Sequence, residues 1–339
     1  MIDISKLTYK VFLLRETGEQ LDVSSIAENV MWEENEGELA MRVSLSLANV
    51  LHNGQRMSSI AKPNCYLIIT AENQSGVEEV ARAKITEWEP TRSGSGDSIS
   101  LSGYDELFEL QSSQDNRYLA DGTSTRTAIL SVFEDWGVPV GEYKGPSDPT
   151  AKLTYKNEYL SDIILDLLNT AVEHGASKCV IRASKGKVSI LPRASNETVY
   201  RFEEGGNLET TQYKISTGDM VTVVKVVAPE DDEERQKVEA IVEGKTEYGK
   251  RQRIYVRDKE DDLATATAAA QQILAEDGEP EESFSVKAPD VPYIRKGDMI
   301  MVETRVYTGY AIVLSIQHDA SGRSMSMDLL PYDPVPVGE

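Results

Sequence analysis

Met41-Arg42-Val43-Ser44-Leu45-Ser46-Leu47 alternates strictly between apolar and polar side chains. Period two is the mark of a strand with one face buried and the other in water. Working outward, Tyr9 to Leu14, Val80 to Trp88 and Ile99 to Tyr104 read as further strands. Cys65 to Ala71 is instead a continuous apolar run, which predicts a strand covered on both faces. Thr17-Gly18 and Arg92-Ser93-Gly94-Ser95-Gly96-Asp97 supply turns. Many short strands with turn punctuation predict a barrel or a sandwich over residues 1–107.

The pattern changes at residue 108. Ile129, Val132, Phe133 and Trp136 recur at helical spacing, and Gly137 stands where that helix should stop. A second helix carries Leu160, Ile164, Leu167, Leu168 and Ala171 on one face, with Gly175 beyond it. Cys179 to Arg182 and Lys187 to Leu191 read as a hairpin across Ser184-Lys185-Gly186. Residues 108–197 are therefore expected to form a small α/β domain. Strand signal returns over residues 198–339, first at Met220 to Val227. The acidic run Glu230-Asp231-Asp232-Glu233-Glu234 follows, and Val238 to Val242 is expected to pair with Arg253 to Val256. Asp262 is placed to cap a helix from Ala264 to Ala275, with Gly278 beyond its end. This hairpin and helix form an insertion at about 229–278. Phe284–Lys287, Met299–Glu303, Tyr310–Gln317 and Met325–Leu330 complete the strands. The fold class is thus α+β, mainly β.

The last β region repeats the order of the first. In the first, Val43 to Leu47 leads through a proline-bearing loop to the apolar Leu67-Ile68-Ile69. Ala83 to Thr86, a glycine turn and Ile99 to Ser102 follow. In the last, Phe284 to Lys287 leads through Ala288-Pro289 to Met299 to Val302. Gly309 to Val313, the turn Ala320-Ser321-Gly322 and Ser324 to Met327 follow. Antiparallel structures share such a rhythm without kinship, so both readings stand at this point. If the repeat is real, a chain with two similar barrels, assembled three-fold, presents six similar units in a ring, the arrangement a symmetry adapter needs.

Composition narrows the function. The 339 residues are 40% hydrophobic, enough for two or three cores of about 100–200 residues each. No stretch approaches the ~20 apolar residues of a membrane span. The opening Met1 to Lys6 lacks the basic start and apolar run of a signal peptide, so assembly in a host cytoplasm is expected. Cys65 and Cys179 read as buried strand thiols, in keeping with a reducing compartment. The formal charge of −22 argues against gripping a phosphate backbone, where affinity comes from Lys and Arg displacing counterions.

No catalytic constellation emerges. His52, His174 and His318 have no metal-ligand neighbour at helix or turn spacing. Gly244-Lys245-Thr246 resembles the end of a phosphate loop, but Glu239 stands where the first glycine is needed. Gly94-Ser95-Gly96 lacks the third glycine of a dinucleotide fingerprint and precedes a strand. Ser184 to Lys187 fits S-x-x-K but falls in a hairpin turn. The 57 acidic residues offer many accidental carboxylate pairs and select none. Trp32, Trp88 and Trp136 lie on or beside apolar faces and read as packing residues. No catalytic residue, metal ligand or cofactor is assigned.

Across nearly its whole length the chain resembles the PBSX-type phage tail hub family, called XkdQ or YqbQ-like, related to the baseplate hubs of contractile phages. Leu21 to Ala27 followed by Val30-Met31-Trp32 is similar to that family's opening strand and its aromatic position. Ile99-Ser100-Leu101-Ser102-Gly103-Tyr104-Asp105-Glu106-Leu107 resembles the end of its first barrel, with Gly103 where a bulkier residue is common. Thr125 to Gly137 and Leu160 to Ile164 resemble its next two helices, and Tyr248-Gly249-Lys250-Arg251 with Tyr255-Val256 its hairpin. Arg295-Lys296-Gly297-Asp298, Gln317-His318-Asp319 and Met325 to Leu329 are similar to its closing strands.

The resemblance implies two tail-tube-like β-barrel domains, at 1–107 and 198–339, separated by the small α/β domain. It implies a homotrimeric hub that joins a hexameric tail tube to a trimeric tail spike in a virion tail or baseplate. It implies a LysM-bearing tail adapter and baseplate wedge proteins as neighbours, and a lumen that holds the tape measure protein and passes DNA only in transit. An acidic lumen would let that DNA slide. Two other readings are a tail-associated peptidoglycan hydrolase, with any site hidden in 108–197, and a receptor-binding tail module.

Overall fold

The computed structural model describes residues 6–74, 76–94, 96–229, 236–257, 259 and 262–333. The acidic run from Glu230 to Glu234, Ser95 of the glycine turn and the end of the Pro331–Glu339 tail lie outside them. Two compact units divide the chain, Met1–Thr211 with Ser285–Glu339, and Gln212–Phe284.

The first unit begins with β1 (Thr8–Leu14), β2 (Gln20–Asp22), β3 (Ala27–Glu34) and β4 (Arg42–Ala48). A small hairpin, β5 (Leu51–His52) and β6 (Gln55–Arg56), turns on Asn53 and Gly54, at φ 47° and 79°. Positive φ at both central residues is what a type I′ turn requires. One helical turn, α1 (Met57–Ile60), leads to β7 (Tyr66–Asn73), β8 (Gly76–Ser93) and β9 (Gly96–Tyr104). Alternation along β4 buries Val43, Leu45 and Leu47, and these pack with Trp32, Leu13, Leu67 and Ile85 in one core.

The next segment runs α2 (Phe108–Ser112), β10 (Gln114–Leu119), α3 (Thr125–Asp135), β11 (Val140–Tyr143), β12 (Leu153–Tyr159), α4 (Leu160–Glu173), β13 (Cys179–Ser184) and β14 (Lys187–Pro192). The Ser124 hydroxyl caps α3 by accepting from Thr127 N at 3.1 Å, and Gly137 follows its end at φ 64°. Five side chains on one face of α4 (Leu160, Ile164, Leu167, Leu168 and Ala171) are buried, as their spacing predicted. The first four share a second core with Ile129, Phe133 and Ile190. β13 and β14 form the expected hairpin, and β11 adds a parallel strand to it.

Two short strands follow, β15 (Arg201–Glu203) and β16 (Thr210–Ser216). The second unit contains β17 (Val223–Val227), β18 (Val238–Glu243), β19 (Gln252–Val256) and α5 (Leu263–Asp277). Asp262 caps α5 as expected, its Oδ1 accepting from Thr265 N at 2.8 Å. β18 and β19 do not pair with each other; both pair with β17, whose Val224 and Val226 pack under Ala266 and Ala270 of α5. β17 is the most apolar of the three strands and takes the centre, where both edges and faces are covered. The chain returns through β20 (Glu281–Pro289), β21 (Met299–Glu303), β22 (Thr308–Asp319) and β23 (Ser324–Tyr332).

The protein is mixed α and β and mostly strand, but the two β-barrel domains expected from the sequence are absent. The first and last β regions instead share one thirteen-stranded open sheet, in the order β16-β20-β23-β22-β3-β4-β9-β8-β7-β1-β2, with β21 and β15 off that path. Among the described residues no sheet closes on itself. The joint is a four-residue pairing, Ile316–Asp319 of β22 against Met31–Glu34 of β3. Alternation marks which face of a strand is buried, but it does not name the partner strand, so this joint is invisible in the pattern.

The internal repeat does survive, as topology. Sheet order is β4-β9-β8-β7 in the first half and β20-β23-β22-β21 in the second. β8 and β22 each carry a bulge, between Ile85 and Glu87 and between Val313 and Ser315. Beyond the bulges, Trp88 faces Leu101 as Ile316 faces Met327, and Pro90 faces Ile99 as His318 faces Met325.

Gly103 and Leu329 stand at equivalent places, opposite Ile85 and Val313. A Cβ on Gly103 would lie 2.0 Å from the Lys84 carbonyl oxygen. That contact is backbone, so nothing flexible can yield. Gly103→Ala is expected to cost about 2–3 kcal/mol. The reading is a lower urea midpoint at unchanged slope.

Candidate functional site: a buried charge network beside an open cavity

The three histidines fall in three different settings. His52 is exposed on the β5–β6 hairpin, and His174 is exposed at the C-terminal cap of α4. His318 is buried, its ring stacked on Trp32 with centroids 4.7 Å apart. Its Nδ1 lies 2.6 Å from Asp290 Oδ1 and its Nε2 3.1 Å from the Ile294 carbonyl. The Tyr9 hydroxyl donates to the other Asp290 oxygen. Both ring nitrogens are therefore committed to acceptors and neither faces a substrate. Among the described residues no three His, Cys, Asp or Glu side chains are grouped to hold a metal.

The motif fragments are structural. Ser184 to Lys187 is the tight β13–β14 turn, with Lys185 and Gly186 at φ 51° and 75°. Lys245 is tied to Glu279. Trp32 is core, while Trp88 and Trp136 are half-buried beneath Lys62 Nζ (4.8 Å) and the Arg117 guanidinium (5.6 Å). Cys65 is buried and Cys179 half-buried, both as free thiols.

The densest chemistry lies where β3, β13 and the turn before β21 meet. Glu34, 3% exposed, receives two bonds from Arg295, Nε at 2.5 Å and Nη2 at 2.9 Å. Arg295 Nη2 also donates to the Ala183 carbonyl at 3.1 Å. Asp298 accepts from the Arg295 backbone N at 2.9 Å and from Arg182 Nη2 at 2.7 Å. The Lys296 ammonium donates to the carbonyls of Asn35 and Glu38. Gly297, at φ 86°, makes the turn possible; a Cβ there would meet Val180 at 2.9 Å. Burial alone would push the Glu34 carboxyl up. The Arg295 charge and its bonds, with Arg182 and Lys296 behind them, outweigh that and hold it at about 2. Asp105, at the end of β9, has no such partner. Burial pushes it up to about 7, although it accepts from Met41 N (3.1 Å) and Leu107 N (3.0 Å).

An open cavity of about 680 Å³ lies over this network, within the size range of ligand pockets. Its walls come from the first unit: Asn73 at the end of β7 with the start of β8, the β13–β14 hairpin, residues 196–200 and residues 292–298. No sequence motif marks it, because its walls are drawn from three regions more than 90 residues apart, around 73–80, 182–200 and 292–298. Glu34 left a trace, since it shares the parity of buried Trp32 along β3.

The YqbQ-like family matches residues 88–330, and the chain belongs to it. It is thereby a phage-tail hub or baseplate protein with a structural role. The fold is similar to that of the 43 kDa tail protein of prophage MuSo2 from Shewanella oneidensis, at 13% identity and a TM-score of 0.65, covering 96% of this chain and 98% of that one. It is equally similar to a tail protein from Neisseria meningitidis MC58, at 13% identity and 0.65, covering 95% and 96%. Prophage tail protein gp18 from Listeria monocytogenes EGD-e follows at 11% identity and 0.52, covering 94% of each chain. No curated protein matches the sequence.

Proposed function

We propose that this YqbQ-like protein is a symmetry adapter, three copies of which close a ring between a hexameric tail tube and a trimeric tail spike. The observation that carries the reading is the repeated strand order, β4-β9-β8-β7 and β20-β23-β22-β21. Three such chains present six similar four-stranded units, which match six-fold symmetry on one side and three-fold on the other.

Inside the chain, successive units are joined by β22 against β3. The equivalent stretch of β8, Trp88 to Thr91, has no strand on that side among the described residues, and β16 ends the sheet. The ring closes by setting β16 of one copy beside β8 of the next. Pro90 stands where His318 does and brings no N–H, so this seam is the weaker of the two. The lumen encloses the tape measure protein and passes DNA, and the net charge of −22 disfavours DNA sticking to its wall. A LysM-bearing tail adapter and baseplate wedge proteins are its outer neighbours.

Cryo-electron microscopy of the parent tail end tests this. Three copies around the tail axis, with β16 adjoining β8 of the next copy, are expected. A single copy away from the axis would overturn it.

A further inference from the structure

We propose that the cavity over the charge network is a docking pocket for a basic peptide segment, one that places an arginine or lysine side chain between Glu78, Glu197, Tyr200 and Tyr293. Most charges in the cavity wall are already committed to one another. Arg295 is bound to Glu34, Arg182 to Asp298, and Glu79 to Arg82 through two bonds of 2.9 and 2.8 Å. These pairs cancel within the wall. Two carboxylates remain to meet a ligand. Glu197 is exposed and has no ion pair or hydrogen bond among the described residues. Glu78 reaches Lys185 only at 3.9 Å, with both side chains more than half exposed, a contact worth little.

Two phenol rings stand beside these carboxylates. Burial raises the Tyr200 hydroxyl, and Tyr293, Asp298 and Glu78 are close enough to raise it further. Both rings line the same cavity as Glu78 and Glu197. Carboxylates with aromatic faces are the recurrent receptor for a cationic side chain, the ring quadrupole adding to the ion pairing.

The pocket is also held in place before any ligand arrives. Asn73 Nδ2 donates to the Tyr293 hydroxyl at 2.6 Å. Asn196 clamps the loop that carries Glu197 and Tyr200. It donates to the carbonyls of Thr198 (2.8 Å) and Met299 (2.9 Å) and accepts from Met299 N (2.7 Å). Walls fixed in this way lower the ordering cost of binding. The net charge of −22 favours a basic partner over an acidic one.

The pocket does not depend on ring assembly, so it is tested on the purified full chain. The probe is a fluorophore-labelled GRRG tetrapeptide followed by anisotropy at physiological salt, with GEEG as the opposite-charge control. Glu78→Gln/Glu197→Gln should weaken GRRG binding at least tenfold. Glu16→Gln/Glu36→Gln removes the same charge from exposed sites outside the cavity and should change it less than twofold. Tyr200→Leu should weaken it several-fold with an unchanged circular dichroism spectrum. Equal weakening by the two double variants, no weakening by the first, or equal binding of GEEG would each overturn the proposal. Sedimentation of the same variants reports ring formation separately, so a failed pocket and a failed hub reading are told apart.

Discussion

Glu34→Leu is expected to destabilise the first unit by about 3–5 kcal/mol, the usual penalty for leaving one member of a buried ion pair alone. The cost is not the pair's attraction itself. It arises because Arg295, with its side chain 13% exposed, would keep its charge with its bidentate acceptor gone. Asp298 cannot replace that acceptor, since it already receives Arg182 and the Arg295 backbone N. Arg295→Leu should cost a similar amount by stranding Glu34. The double variant should cost much less than the two singles added, because it removes both charges together. A coupling of about 2 kcal/mol or more is expected from the cycle. Tryptophan fluorescence in urea reads the right unit, since Trp32, Trp88 and Trp136 all lie in it. Strictly additive losses would show that the pair is uncoupled.

This network also shows where the sequence was legible and where it was not. β4, β9, α3 and α4 were readable because each follows one period with a recognisable stop, Gly137 and Gly175 among them. The helix cap at Asp262 was readable for the same local reason. β15 carries no readable period because it is three residues long with one apolar residue, Phe202, and β16 (Thr210–Ser216) is mostly polar. The single sheet was hidden in a pairing across 282 to 288 residues, Ile316 with Glu34 at one end and Asp319 with Met31 at the other. Two barrels were the natural reading of two separated strand clusters. The repeated order that suggested them is present, but β3 bridges the two halves and keeps the sheet open. Arg295 and Asp298 were noticed as part of a closing motif; their burial depends on β3 and β13, which lie far away in the chain. Only folding brings Glu34, Arg182 and Arg295 together, so their chemistry could not be read from spacing.

Stability should also depend on pH in opposite directions at two buried carboxyls. Glu34, held at about 2 against an ordinary value of 4.5, binds its proton more weakly in the folded state. Its contribution is complete above pH 4.5 and is lost as pH falls toward 2, about 3 kcal/mol in all. Asp105, raised from 3.8 to about 7, behaves the other way. Between these values the folded chain keeps a proton that the unfolded chain releases, so rising pH favours unfolding. The loss is spread from about pH 4 to about pH 7 and amounts to about 4 kcal/mol. Glu106 adds to it with the same sign, raised by burial and by Glu79. Maximal stability from these groups therefore falls near pH 4 to 5, below neutrality. The net charge of −22 also opposes compactness at higher pH, so the wild-type curve alone does not isolate Asp105. Asp105→Asn does. It removes the titration; its single side-chain oxygen keeps one of the two bonds, from Met41 N or Leu107 N, and the other is lost at every pH. Urea midpoints of the variant should fall much less between pH 4.5 and 7.5 than those of the wild type, on top of a pH-independent lowering from the lost bond. Parallel curves across that window would mean that Asp105 ionises in the fold as it does in the open chain.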